Sequence, residues 1–169
     1  MSEHEQGADR SPFTDHVESV RPEWVDYNDH MNVAYYVLVF DHATDAVLEQ
    51  LDLGEAYRRR TGCSVFVGEA HVTYDREVRA GERLRVASRV LGFDGKRIVL
   101  YHEMARDGGG GVVASNEVLC LHVDLGTRRT ASWPPDVADR VRQAADRDAR
   151  RPRPPRAGRS IALDGRRPR

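Results

Sequence analysis

One long helical stretch, with strand-like segments around it and no second long helix, limits how this chain of 169 residues can fold. Apolar residues recur at helical spacing from about Asn32 to Leu51, and the first two turns contain almost no polar side chain. Asn32 is a good N-cap residue, and Gly54 ends the helix. Because such a helix needs apolar surroundings, we expect its start to be enclosed by protein.

The other segments alternate apolar and polar residues with the period of a β-strand. Strands are predicted at about residues 16 to 25, 63 to 78, 84 to 93, 96 to 106 and 112 to 123. Pro22 interrupts or edges the first strand, since proline cannot donate to a strand ladder. A curved antiparallel sheet of about five strands around one central helix accounts for this order, and this α+β architecture is the hotdog fold.

Alternation within the second predicted strand assigns its side chains to two faces of the sheet. The predicted faces are Phe66, Ala70, Val72 and Tyr74 on one side, and Val65, Val67, Glu69, His71 and Thr73 on the other. A short helix from Asp136 to about Ala145 closes the folded body.

Composition predicts one domain with flexible ends. The hydrophobic fraction of 40% is enough for one core. We expect a flexible leader at residues 1–15, a hotdog domain at 16–145 and a disordered tail at 146–169. The tail is rich in Arg and Pro and poor in apolar residues, so it cannot offset its ordering entropy. It also lacks interleaved aromatic residues, so we expect no specific nucleic-acid partner.

Cysteine usage and hydropathy point to a cytoplasmic protein. Cys63 and Cys120 both lie in apolar strand-like runs, which suits reduced core thiols better than a disulfide framework. The first 13 residues are polar and acidic and do not resemble an export signal. No stretch approaches the roughly 18 apolar residues of a membrane span, so we expect no membrane partner.

The loop before the helix carries the residues best suited to chemistry. Asp26 and His30 lie just ahead of the helix start, and Asp26 can act as a nucleophile or as a general base. Backbone N–H groups near Asn32 and Val33 can polarise a carbonyl, since the N–H groups that begin a helix lack intrahelical acceptors. The competing interpretation is that Asp26 only caps a turn.

These residues resemble the acyl-CoA thioesterases of the 4-hydroxybenzoyl-CoA thioesterase type in the hotdog superfamily. Members carry an Asp before the central helix and often a His four positions later, and Asp26 and His30 match that spacing, followed by Met31 and Asn32. Asp29 departs from the pattern because a Gly is common there. Trp24 stands where many relatives have a second Asp.

A closer resemblance is to the carnitine-associated betainyl-CoA thioesterases. It rests on Pro22 to Asn28, His30 to Asn32, Phe40 with Ala43 to Ala46, Asp94 to Arg97, and Leu121 to Asp124. The resemblance implies hydrolysis of a small acyl-CoA, with betainyl-CoA as the first substrate to test, to the free acid and CoA. It implies catalytic roles for Asp26 and His30 and for the helix start at Asn32 and Val33.

The substrate suggests further candidate residues. A quaternary ammonium group binds to aromatic faces and a carboxylate. The candidates for the acyl group are Trp24, Tyr27, Tyr35, Phe66, Glu69 and His71, the last two because their strand face approaches the partner subunit in hotdog dimers. The CoA phosphates need cations, and Lys96 and Arg97, or Arg58 to Arg60, can supply them.

The remaining expectations concern assembly and alternatives. One hotdog subunit leaves an edge strand and half a pocket, so we expect a homodimer or homotetramer. We expect no cofactor and no metal, since Asp26, His30, Asp41 and His42 match no known ligand spacing. A hotdog hydratase or dehydratase is the rival enzyme, although it typically has its His five positions after the Asp. A non-catalytic acyl-CoA-binding module would need the fold but not Asp26.

Overall fold

The computed structural model describes residues 13–163, which form six strands and three α-helices. The strands are β1 (His16–Ser19), β2 (Cys63–Tyr74), β3 (Arg83–Phe93), β4 (Arg97–Arg106), β5 (Val112–Asp124) and β6 (Arg129–Thr130). The helices are α1 (Val33–Gln50), α2 (Glu55–Thr61) and α3 (Pro135–Asp148). Within the described range, the helices are too short or too polar to span a membrane.

The strands form one antiparallel sheet in the order β1-β3-β4-β5-β2, with the two-residue β6 added to β5. Helix α1 lies across one face and contacts β1, β3 and β4. Phe40 and Val39 of α1 are fully buried between helix and sheet. The predicted α+β hotdog architecture of five main strands around one long helix is therefore confirmed.

The first strand is shorter than predicted. β1 ends at Ser19, and residues Pro22–Trp24 form a 3₁₀ turn in place of the rest of the strand. Proline fixes its own φ near the helical value and is favoured at the first position of such a turn. The turn redirects the chain toward the loop that carries Asp26.

A β-bulge in β2 makes the predicted face assignment partly wrong. The register with β5 shifts between Val67 and Glu69, and one extra residue reverses the alternation on one side of the bulge. Val65, Val67, Ala70, Val72 and Tyr74 therefore share the face toward α1, while Phe66, Glu69, His71 and Thr73 share the outer face. Gly68 sits at the bulge, and a Cβ there would lie 2.9 Å from the Leu121 side chain.

Helix α1 begins as predicted but is not enclosed as predicted. The Asn32 side chain accepts the Ala34 N–H at 3.0 Å, which confirms the N-cap. Val33 and Val37, however, are 56% and 45% exposed. They begin an exposed stripe at four-residue spacing that continues through Asp41 and Asp45. The start of the helix thus has an open flank in a single chain.

A histidine is buried beneath α1. His102 of β4 is fully buried, and its Nε2 and Nδ1 atoms lie 3.1 Å from Thr44 Oγ1 and 2.8 Å from Ser88 Oγ. Burial lowers the pKa of His102 to about 3. The ring is therefore a neutral hydrogen-bonding bridge between α1 and the sheet.

The C-terminal helix extends beyond the predicted boundary, and the segment after it contacts the sheet. α3 runs to Asp148, beyond the expected boundary at residue 145, and the buried Asp148 carboxylate accepts the Val90 N–H at 2.8 Å. Arg89 donates to the Pro152 carbonyl, and Arg156 pairs with Asp75. These contacts join the C-terminal segment to β3 and to the residue after β2. Residues 1–12 and 164–169 of the expected leader and tail lie outside the described residues.

Candidate active site

The loop with Asp26 is a small hairpin closed by backbone hydrogen bonds. The Asn32 N–H donates to the Trp24 carbonyl at 2.9 Å, and the Asp26 N–H donates to the His30 carbonyl at 3.1 Å. The Met31 N–H donates to the Val78 carbonyl at 2.8 Å, which ties the loop to the segment after β2. The loop is therefore held against the sheet.

The tip of this hairpin explains the unusual Asp29. The Asp29 N–H donates to the Asp26 carbonyl, and Asp29 has a φ of 62°. A turn followed by one left-handed residue is a common three-residue hairpin loop, and Gly fits the left-handed position best. The position where relatives commonly have Gly is thus the one that requires a left-handed backbone.

Replacing Asp29 with Gly is expected to raise the free energy of unfolding by about 0.5 kcal/mol, because it removes a side chain from a left-handed residue. Asn28→Gly is the matched control, since Asn28 lacks a positive φ; it should lower stability by about 0.5–1 kcal/mol. Urea denaturation of both variants measures the difference. Equal destabilisation by the two glycines would contradict the argument.

Only one of the two carboxylate oxygens of Asp26 accepts a hydrogen bond among the described residues. Its Oδ1 accepts the Asn28 N–H at 2.8 Å, so the turn-capping contact considered from sequence is present. Among residues 13–163, the structure gives Oδ2 no hydrogen-bond partner. The side chain is half-buried. A half-buried carboxylate with one open oxygen can hold the turn and still act on a substrate.

His30 lies beside Glu77 and lines a cleft next to the loop. His30 Nε2 is 3.6 Å from Glu77 Oε1, and no side-chain hydrogen bond or ion pair joins His30 to Asp26 among the described residues. The cleft has a volume of about 210 Å³. It is lined by His30, Met31, Val33, Tyr36, Tyr74, Asp75, Arg76 and Glu77. The structure thus brings His30 and Val33 together with residues from the end of β2.

Tyr36, Tyr74 and Glu77 line the cleft but are not among the residues predicted from the sequence. The Tyr36 and Tyr74 rings meet edge to face with centroids 5.3 Å apart, and the Tyr36 hydroxyl donates to the Arg76 carbonyl at 3.1 Å. Tyr74 is 45% exposed. The contact between the end of β2 and the loop could not be predicted from local sequence signals. It depends on the long-range hydrogen bond from the Met31 N–H to the Val78 carbonyl.

The helix start offers one unpaired backbone donor from the predicted pair. The Asn32 N–H is used by the Trp24 carbonyl, and the Ala34 N–H is used by the Asn32 side chain. The Val33 N–H has no acceptor within residues 13–163, and Val33 lines the cleft. Val33, rather than Asn32, is therefore placed to polarise a carbonyl.

The predicted aromatic candidates do not line this cleft. Trp24 is buried and stacked on Tyr35 with centroids 5.3 Å apart, and Arg21 lies over the Trp24 ring. Tyr27 is 95% exposed at the hairpin tip. Phe66 lies on the outer face beneath Arg128. Packing in the core or at the surface accounts for Trp24, Tyr35 and Phe66, whereas Tyr27 projects into solvent.

The other predicted binding residues lie elsewhere in the chain. Glu69 and His71 line a groove on the outer face with Gly158 and Arg159 of the C-terminal segment. Lys96 and Arg97 form the β3–β4 hairpin, at the end of the sheet opposite to the Asp26 loop. Hydrogen bonds led by Arg97 lower the pKa of Asp94 to about 2.

Comparison with protein families gives one match over most of the fold. The model of the thioesterase-like superfamily matches residues 20–141. The betainyl-CoA thioesterase of Pseudomonas aeruginosa is 39% identical over 144 residues, which cover 85% of this chain and 91% of that protein. The L-carnitine dehydrogenase/betainyl-CoA thioesterase of Agrobacterium fabrum is 41% identical over 73% of this chain. The match spans only 25% of that longer protein.

Solved structures show the same fold. A Staphylococcus aureus protein in complex with CoA superimposes with a TM-score of 0.84 and 23% identity, covering 91% of this chain and 97% of its own. A Pseudomonas putida protein, assigned provisionally as a thioesterase, has a TM-score of 0.76 and 33% identity, covering 90% of this chain and 97% of its own.

Proposed function

This chain belongs to the thioesterase-like superfamily and is an acyl-CoA thioester hydrolase, and we propose that its substrate is betainyl-CoA. The single observation that carries the choice of substrate is the cleft beside the catalytic loop, which joins aromatic rings to a carboxylate. The 39% identity to a betainyl-CoA thioesterase over most of both chains supports the same choice.

The cleft suits the trimethylammonium group of betaine. A quaternary ammonium cannot donate classical hydrogen bonds, so it binds through aromatic faces and negative charge. Tyr74 offers a half-exposed ring, and Glu77 offers a carboxylate whose side chain is 67% exposed. Asp75 is paired with Arg156, which leaves Glu77 as the carboxylate most able to face the ligand.

In the proposed mechanism Asp26 and the Val33 N–H have different roles. The Val33 N–H stabilises the negative charge that develops on the thioester oxygen. Asp26 either attacks the carbonyl carbon to form a mixed anhydride, which water then hydrolyses, or removes a proton from the attacking water. In both routes the C–S bond breaks, CoA leaves as the thiolate and takes up a proton, and betaine is released as the acid.

A thiol-release screen tests the proposed substrate. The full-length protein is incubated with betainyl, acetyl, long-chain and aromatic CoA thioesters, and free CoA is measured with a thiol reagent. We expect the highest kcat/KM with betainyl-CoA. Hydrolysis of aromatic thioesters with none of betainyl-CoA would overturn the choice of substrate, and no thiol release from any thioester would favour a non-catalytic binding protein.

The Tyr74→Leu variant tests the cation site. It removes the aromatic face but keeps an apolar side chain, so we expect KM for betainyl-CoA to rise about 5- to 30-fold, the range of one partly desolvated cation–π contact. A neutral acyl-CoA of similar size, such as the isovaleryl thioester, is the matched control and should keep its KM within about twofold. An equal rise for both substrates would show a loss of shape without charge recognition.

A second copy of the chain is proposed to complete the site. Exposed apolar side chains lie along one flank of the subunit, on α1 and the open edge strand β2. They are Val33, Val37, Val67 and Tyr74. Antiparallel pairing of β2 with β2 of a second copy would cover this flank and satisfy the free strand edge.

This pairing also supplies cations for CoA. In one subunit the cleft is at the Tyr74 end of β2, and α2 precedes the Cys63 end. Antiparallel pairing brings the Cys63 end of the partner to the cleft, and with it Arg58 of α2. Arg59 and Arg60 are paired with Glu55 and Asp52, whereas Arg58 has no acidic partner within residues 13–163. Arg58 is therefore our first choice for the CoA phosphates.

The Val67→Lys variant tests the dimer. A lysine on an edge strand opposes strand pairing, so we expect the mass measured by light scattering to fall from about twice 19.1 kDa to 19.1 kDa. Thioesterase activity should fall with it. Ser19→Lys, on the exposed edge strand β1, is the matched control and should remain dimeric. A wild-type monomer with full activity would contradict the proposal.

We also propose a reducing cytoplasm as the compartment. Cys63 and Cys120 are both free thiols. Burial raises the pKa of Cys120 to about 12, so this thiol is inert. Core thiols of this kind fit a compartment in which disulfides are rare.

A further inference from the structure

Two imidazoles and one carboxylate converge where the edge strand β1 meets α1. We propose that His16, Glu18 and His42 bind a divalent transition-metal ion of the zinc type. This site is at the opposite edge of the sheet from β2 and the cleft. It does not depend on the thioesterase activity or on the choice of substrate.

The strand register explains why the three side chains meet. His16 pairs with Val86 and Glu18 pairs with Leu84. Residues directly opposite in an antiparallel pair point to the same face, and both partners are fully buried in the core beneath α1. His16 and Glu18 therefore also point toward the helix, where His42 lies one turn after the buried Val39.

The donor atoms are spaced nearly as zinc ligands are. Glu18 Oε2 is 3.1 Å from His16 Nε2 and 2.8 Å from His42 Nδ1, and all three donor atoms lie within 4.8 Å of one another. Ligand atoms about 2.0–2.1 Å from a tetrahedral zinc ion are about 3.3 Å apart. Small rotations of the two rings are enough to bring the nitrogens to that spacing.

The donor set selects the class of ion. Two neutral imidazoles and one carboxylate are the ligands of many zinc sites with an open fourth position, whereas Ca²⁺ and Mg²⁺ prefer oxygen ligands. The side chains of His16, Glu18 and His42 are 23%, 14% and 37% exposed. An ion can therefore enter from solvent, and water can occupy the remaining coordination position.

The charge at the site favours a cation. Burial by itself raises the pKa of Glu18, but hydrogen bonds from His42 and His16 outweigh it and hold the pKa below its usual value. Asp45 of α1 lies near His42 and adds negative potential, and the Arg21 guanidinium is 3.9 Å from the other carboxylate oxygen, Glu18 Oε1. An ion would replace the ring hydrogens that now point at Glu18, and each ring would carry its proton on the other nitrogen.

Metal binding would join β1 to α1. β1 is held to β3 over four residues, so it is the weakest strand attachment among the long-range pairings of the sheet. Because the ion binds only the folded arrangement, it adds to the stability of the chain. We expect Tm to rise by about 5–11 °C at a Zn²⁺ concentration about 100-fold above Kd.

The test uses the full-length protein after removal of metals with EDTA. Titration with Co²⁺ should give the intense visible absorption bands of four-coordinate cobalt with one ion bound per chain, and Zn²⁺ should displace it. Glu18→Gln and His42→Gln should each weaken Co²⁺ binding at least about tenfold. His71→Gln, in a half-buried histidine outside the cluster, should keep wild-type metal affinity.

Two results would overturn the proposal. One is the absence of cobalt bands and of calorimetric Zn²⁺ binding in the wild-type protein, which needs no variant. The other is wild-type metal affinity in both variants, since the ion would then bind elsewhere. Circular dichroism in EDTA checks that each variant is folded, and His16→Gln on the short edge strand replaces any variant that is not.

Discussion

Asp26→Asn is expected to lower kcat/KM for betainyl-CoA about 10³-fold. The amide cannot act as a nucleophile or as a general base, and these roles are typically worth 10²- to 10⁴-fold in rate. Its carbonyl oxygen can still accept the Asn28 N–H, so the hairpin should keep its shape. The loss would therefore measure chemistry and not folding. Thiol release, with a Tm for each variant, makes this measurement.

Asp29→Asn is the matched control for this variant. It removes a carboxylate from the same hairpin, and asparagine tolerates the left-handed φ of 62°. Its activity should stay within about twofold of wild type. Comparable losses in both variants would mean that the charge of the loop, and not Asp26 itself, drives hydrolysis. Label in the Asp26 carboxylate after a single turnover in isotopically labelled water would then identify the anhydride route, with water attacking the Asp26 carbonyl carbon of the anhydride.

The second large effect is a loss of stability in mild acid that depends on His102. The pKa of this buried ring is about 3 in the fold and about 6.5 in the unfolded chain. Between these values the unfolded chain binds a proton that the fold does not, so stability falls as pH falls. The expected slope is about 1.4 kcal/mol per pH unit, or about 2–3 kcal/mol between pH of about 6.5 and 4.5.

His102→Gln should remove this slope. Glutamine can retain hydrogen bonds to Ser88 and Thr44 but does not titrate, so the variant should show a flatter stability curve between about pH 4.5 and 6.5. His71→Gln, a half-buried histidine on the outer face, should keep the wild-type slope. Urea denaturation at several pH values gives both curves, and identical slopes in wild type and His102→Gln would refute the assignment.

The helix was predictable because its signals are local. The N-cap residue, the apolar spacing and the end of the helix all lie within about twenty residues of sequence. In the structure α1 runs over Val33–Gln50, with Asn32 as its N-cap. The positions of the five main strands along the chain were predictable for the same reason, because each strand has its own alternation and turn residues. The bulge near Gly68 was not, because nothing in alternation reveals one extra residue.

The site was predictable only in part, because its members come from distant segments. Asp26 and His30 could be predicted because they share one loop. Tyr74 and Glu77 follow that loop by some 45 residues, and only the folded sheet brings them to the cleft. The cluster of His16, Glu18 and His42 was likewise hidden, since β1 is four residues long and its register is set by β3. The contacts of residues 149–163 with acidic side chains of distant segments are likewise not visible in composition.

The buried Asp148 has a consequence for how far assembly can grow. β1 covers only the first part of the outer edge of β3. Further along that edge, the Asp148 carboxylate accepts the Val90 N–H, and Arg89 donates to the carbonyl of Pro152 in the segment that follows. The long β2 edge has no such cover within residues 13–163. A ribbon or fibre needs two edges that accept new strands, one to dock and one to receive the next chain. On the other side of the sheet only the four-residue edge of β1 is left for a new strand, so we expect growth by strand pairing to stop at two chains.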